Sequence, residues 1–145
     1  MGVVHYVLGL AFDRRRKLVV LIRKARPEWQ AGMLNGVGGK VKVGESPEQA
    51  MIREFDEETG VITLPGDWQP FARLHGAYFD MTVFRLESDV VVGQVRTMTD
   101  EEIVVSALDL NVLREAGVSN LSWLVGCALD SDQPRLRLDV CYQQL

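Results

Sequence analysis

The chain has 145 residues, with 16 Lys and Arg against 20 Asp and Glu, for a net charge of −4. That length supports one domain, 1–145, with a sizeable core, and the acidic balance excludes a nonspecific coat on nucleic acid. No run reaches the ~18 apolar residues of a membrane span, and no basic stretch followed by a long apolar segment opens the chain, so a cytoplasmic protein without a signal peptide is expected.

Residues 3–12 are rich in β-branched and apolar types and read as a strand. Residues 13–16 form a charged turn whose three arginines are expected at a solvated hairpin end. The next strand covers 17–23. Residues 25–35 hold Pro27, Trp29 and Gly32 and read as a loop. Residues 35–41 then approach the next element through Gly36, Gly38 and Gly39. Three glycines in four positions permit unusual φ and close backbone approach, which suits contact with phosphate at Gly38 and Gly39, although glycine-rich stretches are often merely turns. Arg23 and Lys24 close the preceding strand. They read either as solvated strand-end charges or as phosphate contacts, arginine's fork matching phosphate oxygens.

The following segment carries helix punctuation at both ends. Ser46 is an N-cap, Pro47 takes the first helical position, and Gln49 completes a capping box. Gly60 supplies the left-handed residue that commonly ends a helix. The spacing therefore predicts a helix over Pro47–Thr59. A 3.6-residue period puts Met51, Ile52 and Phe55 on an inward side and Glu54, Glu57 and Glu58 together on a neighbouring one. Arg53 lies one turn before Glu57 and can pair with it. One arginine does not neutralise three crowded glutamates; a hard divalent cation with oxygen ligands does.

Beyond the helix, 68–75 and 78–87 read as paired strands around Gly76. Residues 89–99 are mixed and read as a loop with a strand inside it. A short strand follows at 103–108. Residues 111–116 and 121–129 have helical character, and 135–142 alternates like a final strand. Periodicity alone reaches α+β or α/β. Cys127 and Cys141 are too few and too isolated for a zinc site or a disulfide framework, and are expected to be buried small residues in a reducing compartment. The large aromatics Trp29, Phe79 and Trp123 are either core or stacking surfaces for a nucleobase.

The pattern Gly39, five residues, Glu45, seven residues, Arg53-Glu54, apolar Phe55, Asp56, Glu57-Glu58, Thr59, Gly60, apolar Val61 resembles the Nudix box at every defined position. The resemblance implies an α/β fold, the Nudix-type α/β/α sandwich with a central mixed sheet. It implies hydrolysis of a diphosphate linkage in a nucleoside diphosphate derivative with Mg²⁺, or in some members Mn²⁺. Carried over position by position, Glu54, Glu57 and Glu58 are the metal ligands, Arg53 orients them, and Glu45 supports the loop–helix junction. Glu101 and Glu102 resemble an acidic stretch after the box that supplies a metal ligand or general base; a polar loop end is the other reading, and nothing ranks one glutamate above the other. Asn35 before Gly36 resembles a base-contacting asparagine of enzymes that remove oxidised purine nucleotides, though asparagine also simply forms turns.

The substrate these observations favour is a nucleoside triphosphate, modified or not, released as monophosphate and pyrophosphate. The alternatives are a dinucleoside polyphosphate, a nucleotide sugar such as ADP-ribose, or a regulator that binds a nucleotide without cleaving it. The partner is thus a small-molecule nucleotide; neither nucleic acid nor membrane is expected, and a homodimer is allowed.

Overall fold

The computed structural model describes residues 2–130 and 138–143. Its elements are β1 (Val4–Phe12), β2 (Leu18–Arg23), a 3₁₀ turn (Glu28–Gln30), β3 (Leu34–Asn35), β4 (Val37–Lys40), α1 (Pro47–Thr59), β5 (Gln69–His75), β6 (Phe79–Glu87), α2 (Asp89–Gln94), β7 (Ile103–Ala107), α3 (Leu110–Ala116), α4 (Leu121–Leu129) and β8 (Leu138–Cys141). The strands make one mixed sheet in the order β3-β2-β1-β6-β5-β8, with β4 added to β1 and β7 to β2. Its centre is a parallel pairing of β1 with β6, in register from Val4 opposite Phe79 to Phe12 opposite Glu87.

Alternation along β1 builds both sides of the sheet. Leu8, Leu10 and Phe12 pack with Leu113, Leu121, Leu124 and Val125 of α3 and α4. Val7 and Ala11 pack with Met51 and Phe55 of α1 and Val92 of α2. Helices therefore cover both faces, giving the α/β/α sandwich that the resemblance implies. Phe55 is fully buried and meets Trp68 edge-on at 5.1 Å between ring centres, while the Trp68 indole N–H donates to Thr63 Oγ1 at 2.7 Å.

Four expectations are corrected. Residues 89–94 are helical, because Ser88 caps Val91 N–H and Val92 buries against the sheet, overriding the strand preference of three consecutive valines. Residues 37–40 are a strand against β1, and Gly36, Gly38 and Gly39 all keep ordinary negative φ. Their glycine requirement is one of space: a Cβ at Gly38 would run into the Val7 carbonyl. Arg16 is not simply solvated; it pairs with Glu87 at 3.0 Å and donates to the Leu129 carbonyl at 3.1 Å, beside buried Arg85 on the Ala128 carbonyl, so two arginines tie down the end of α4. Cys141 is exposed. The expected strand at 135–142 is seen over Leu138–Cys141; residues 135–137 lie outside the described residues. Among the described residues no helix is long and apolar enough to cross a membrane.

Candidate active site

Helix α1 begins and ends where its punctuation places it. Ser46 Oγ accepts from Gln49 N–H at 3.1 Å, Gln49 Oε1 accepts from Ser46 N–H at 2.8 Å, and Gly60 takes φ +75°. With Met51 and Phe55 anchored in the core, the strip carrying Arg53, Glu54, Glu57 and Glu58 faces away from it.

Arg53 organises that strip. Its guanidinium grips Glu45 with two bonds, Nε to Oε2 at 2.7 Å and Nη2 to Oε1 at 2.9 Å. It also donates to Glu54 Oε1 at 2.9 Å, Glu57 Oε2 at 3.3 Å and the Lys40 carbonyl at 2.9 Å. The arginine thus ties the end of β4 and the following loop to the helix. The i,i+4 pairing with Glu57 exists, but the fork with Glu45 is shorter and bidentate. The Arg53 bonds, together with the Lys42 N–H, hold the Glu45 carboxyl down to about 2.

The other carboxylates are less comfortable. Burial pushes Glu54 above the ordinary glutamate range, opposed by Arg53 and reinforced by Glu57. Burial also raises Glu58, with Glu101 and Glu54 adding to the shift while Thr99 and Lys24 oppose it. Glu57 is about half exposed, its side chain at 51 %. Among the described residues no three or more His, Cys, Asp or Glu side chains are gathered so as to hold a metal ion between them. The donors are instead an open strip of carboxylate oxygens, two of them penalised as anions by their surroundings. That chemistry fits a hard divalent cation which keeps water and phosphate oxygens in its shell.

Glu101 and Glu102 separate clearly. Glu101 is 5 % exposed and accepts from Ala25 N–H at 2.7 Å and Lys24 Nζ at 3.3 Å; its charge is felt by Glu58. Glu102 is exposed, and only its carbonyl is engaged, by Arg23 N–H at 2.8 Å. The structure therefore brings Glu101 to the carboxylate strip and turns Glu102 to solvent. Arg23 donates to the Gly32 carbonyl at 3.1 Å and is not among the cleft residues described next, whereas its neighbour Lys24 is.

A cleft of 420 Å³ is lined by Leu8, Lys24, Trp29, Asn35, Gly38, Gly39 and Phe79 among others. An adjoining hollow of 320 Å³ shares Trp29, Asn35 and Phe79 and extends to Asn120 and Tyr142. The cleft and the carboxylates meet at two points. Gly39 lines the cleft, and a Cβ there would strike the Glu54 carboxylate. Lys24 lines it too and bonds Glu101. Asn35 Oδ1 accepts from Gly36 N–H at 2.8 Å, so it serves the turn and also faces the cleft. Trp29 is 70 % exposed over this space; Trp123 is not among its walls.

Sequence reasoning missed Asn120 and Tyr142. Asn120 occupies the N-cap position of α4 but makes no side-chain capping bond, a departure from the usual role of asparagine there that no local pattern signals. Tyr142 reaches the hollow from beyond β8, and no local pattern carries that information.

The NUDIX domain model matches residues 5–124. Over 62 residues the chain is 42 % identical to an 8-oxo-dGTP diphosphatase of Escherichia coli (strain K12), covering 43 % of this chain and 46 % of that protein. It is 36 % identical over 62 residues to a CTP pyrophosphohydrolase of the same organism, covering 43 % and 45 %. The chain spans about half the length of the curated relatives it matches. Among solved structures it resembles MutT, studied from Aliivibrio salmonicida and Vibrio cholerae, at TM-score 0.68 and 21 % identity over 88 % of this chain and 97 % of that one. It also resembles the NUDIX domain of Shewanella oneidensis NrtR complexed with ADP ribose, at TM-score 0.68 and 15 % identity over 90 % and 88 %. At those identities the structures speak for the fold. The domain match covers most of the chain, and with it the chain belongs to the NUDIX domain family.

Proposed function

We propose that the chain is a metal-dependent pyrophosphohydrolase, using Mg²⁺ with Mn²⁺ as a substitute, and that it cleaves a nucleoside triphosphate, modified or not, to the monophosphate and pyrophosphate. The observation that carries this reading is the junction at Gly39, where an aromatic- and amide-lined cleft opens onto the α1 carboxylates. A nucleobase suits the cleft and its adjoining hollow, with Trp29 and Phe79 offering ring faces, Asn35 offering donors and acceptors between the two, and Asn120 doing so in the hollow. The phosphates then lie toward Gly38, Gly39 and Lys24.

In this reading Glu54, Glu57 and Glu58 hold the cation and Arg53 fixes their orientation. When bound, the cation neutralises phosphate oxygens and acidifies water. Glu101, oriented by Ala25 N–H and Lys24, accepts the proton of the attacking water. The water oxygen bonds to phosphorus as the bridging P–O bond breaks, and the bridging oxygen leaves with its electron pair. Both Escherichia coli relatives carry names of nucleoside triphosphate hydrolases, which supports a triphosphate over a nucleotide sugar. The ADP ribose in the NrtR structure motivates the second reading, a nucleotide-sugar hydrolase or regulator.

The test is a panel of nucleoside triphosphates, dinucleoside polyphosphates and ADP-ribose with and without Mg²⁺, reading pyrophosphate and phosphate release. Pyrophosphate from a triphosphate, lost by more than about 100-fold in Glu57→Gln, is expected. Cleavage of ADP-ribose alone would overturn the triphosphate assignment. Tight nucleotide binding without turnover in either protein would instead identify a regulator.

A further inference from the structure

We propose that Thr99 is a positioning residue that presets the Glu58 carboxylate and thereby sets the cation affinity of the α1 strip; this rests on the function proposed above. Thr99 lies between α2 and β7. Its hydroxyl donates to Glu58 Oε2 at 3.0 Å and accepts from Glu101 N–H at 3.1 Å. One hydroxyl thus joins the last of the three α1 glutamates to the backbone of the residue assigned as base.

The mount for that hydroxyl is anchored at both ends. Arg96 N–H donates to the Thr59 carbonyl at 3.1 Å, fastening the segment to the end of α1. Ile103 N–H donates to Thr97 Oγ1 at 2.9 Å, fastening it at the start of β7. Glu58 needs such a restraint, because it faces the charges of Glu54 and Glu101. Unrestrained, a long glutamate side chain gains rotamer entropy and lowers its repulsion by swinging into water. Held by Thr99 through Oε2, it presents Oε1 in a set direction. Hydrogen bonds that orient ligating carboxylates are commonly worth 10–100-fold in metal affinity, about the effect of losing a partner of this kind. Thr99 is itself exposed, so its replacement leaves the core intact.

The experiment is Mn²⁺ titration of the full chain, followed by electron paramagnetic resonance and calorimetry, for wild type, T99V, T99S, E58Q and T99V/E58Q, with thermal melts of each. T99V is expected to weaken Mn²⁺ binding about 10-fold at a nearly unchanged melting temperature, and T99S to restore it. In the E58Q background T99V should cost nothing further, because the effect passes through Glu58. Wild-type affinity in T99V would overturn the inference while leaving the proposed function standing. So would an equal loss in T99V with and without Glu58, which would mark a general loop effect. A wild-type chain that bound no Mn²⁺, alone or with a nucleotide analogue, would overturn the inference and the proposed function together.

Discussion

Arg53 serves five acceptors with one planar group: two oxygens of Glu45, one each of Glu54 and Glu57, and the Lys40 carbonyl. Lysine offers three donors on a single nitrogen and cannot reproduce the fork on Glu45 while also reaching Glu54. Arg53→Lys should therefore fold but lose about 10–100-fold in kcat/KM and Mg²⁺ affinity, measured by steady-state kinetics and calorimetry. The raised Glu54 and Glu58 carboxyls make a pH prediction of definite sign. A glutamate that binds its proton more tightly when folded lends stability below the ordinary carboxylate range, and that contribution disappears as pH rises through the raised value. Cation binding requires the ionised form. Mg²⁺ should hence raise the melting temperature more near pH 8 than near about pH 5, and Glu58→Gln should shrink that difference. At this scale the sequence announced the α1 acids through their spacing. It could not rank Glu101 against Glu102, because which of two adjacent side chains is buried depends on the path of the loop between α2 and β7.

Elements were legible where punctuation and pattern agreed. Helix α1 had a cap, a first-turn proline, a box and a terminal glycine, and its observed ends coincide with all of them. Helix α2 was hidden because Val90, Val91 and Val92 favour strands locally, while its stability comes from Ser88 and from burial of Val92 on a sheet assembled elsewhere in the chain. Strand β4 was hidden by its glycines, which look like a loop until the distance to β1 is known. The two neighbouring glycines should respond differently to alanine. At Gly38 the added methyl meets the Val7 carbonyl, an atom of the sheet itself. Gly38→Ala is expected to cost at least about 1–3 kcal/mol in denaturant unfolding. At Gly39 it meets the Glu54 carboxylate, the far end of a side chain that can move aside. Gly39→Ala should melt close to wild type and lose Mg²⁺-dependent activity, separating scaffold from site on adjacent residues.

For the molecule as a whole, everything that resembles the Nudix box lies before residue 62, yet the sheet that supports it does not. Strand β1 pairs with β6 along its full length, from Val4 opposite Phe79 to Phe12 opposite Glu87. A fragment ending at residue 66 retains Glu54, Glu57, Glu58 and Arg53 but lacks β5 and β6. It is expected to give a collapsed, undispersed NMR spectrum and no Mn²⁺ binding, whereas the full chain gives both dispersion and binding. The long sequence separation in that central pairing also has a temporal consequence. As the polypeptide leaves the ribosome, its acidic segment emerges well before the strand it depends on, so the acids wait, unbacked and hydrated, for the second half to arrive. Any cation taken up by the α1 carboxylates as proposed is therefore expected to follow chain collapse and not to nucleate it.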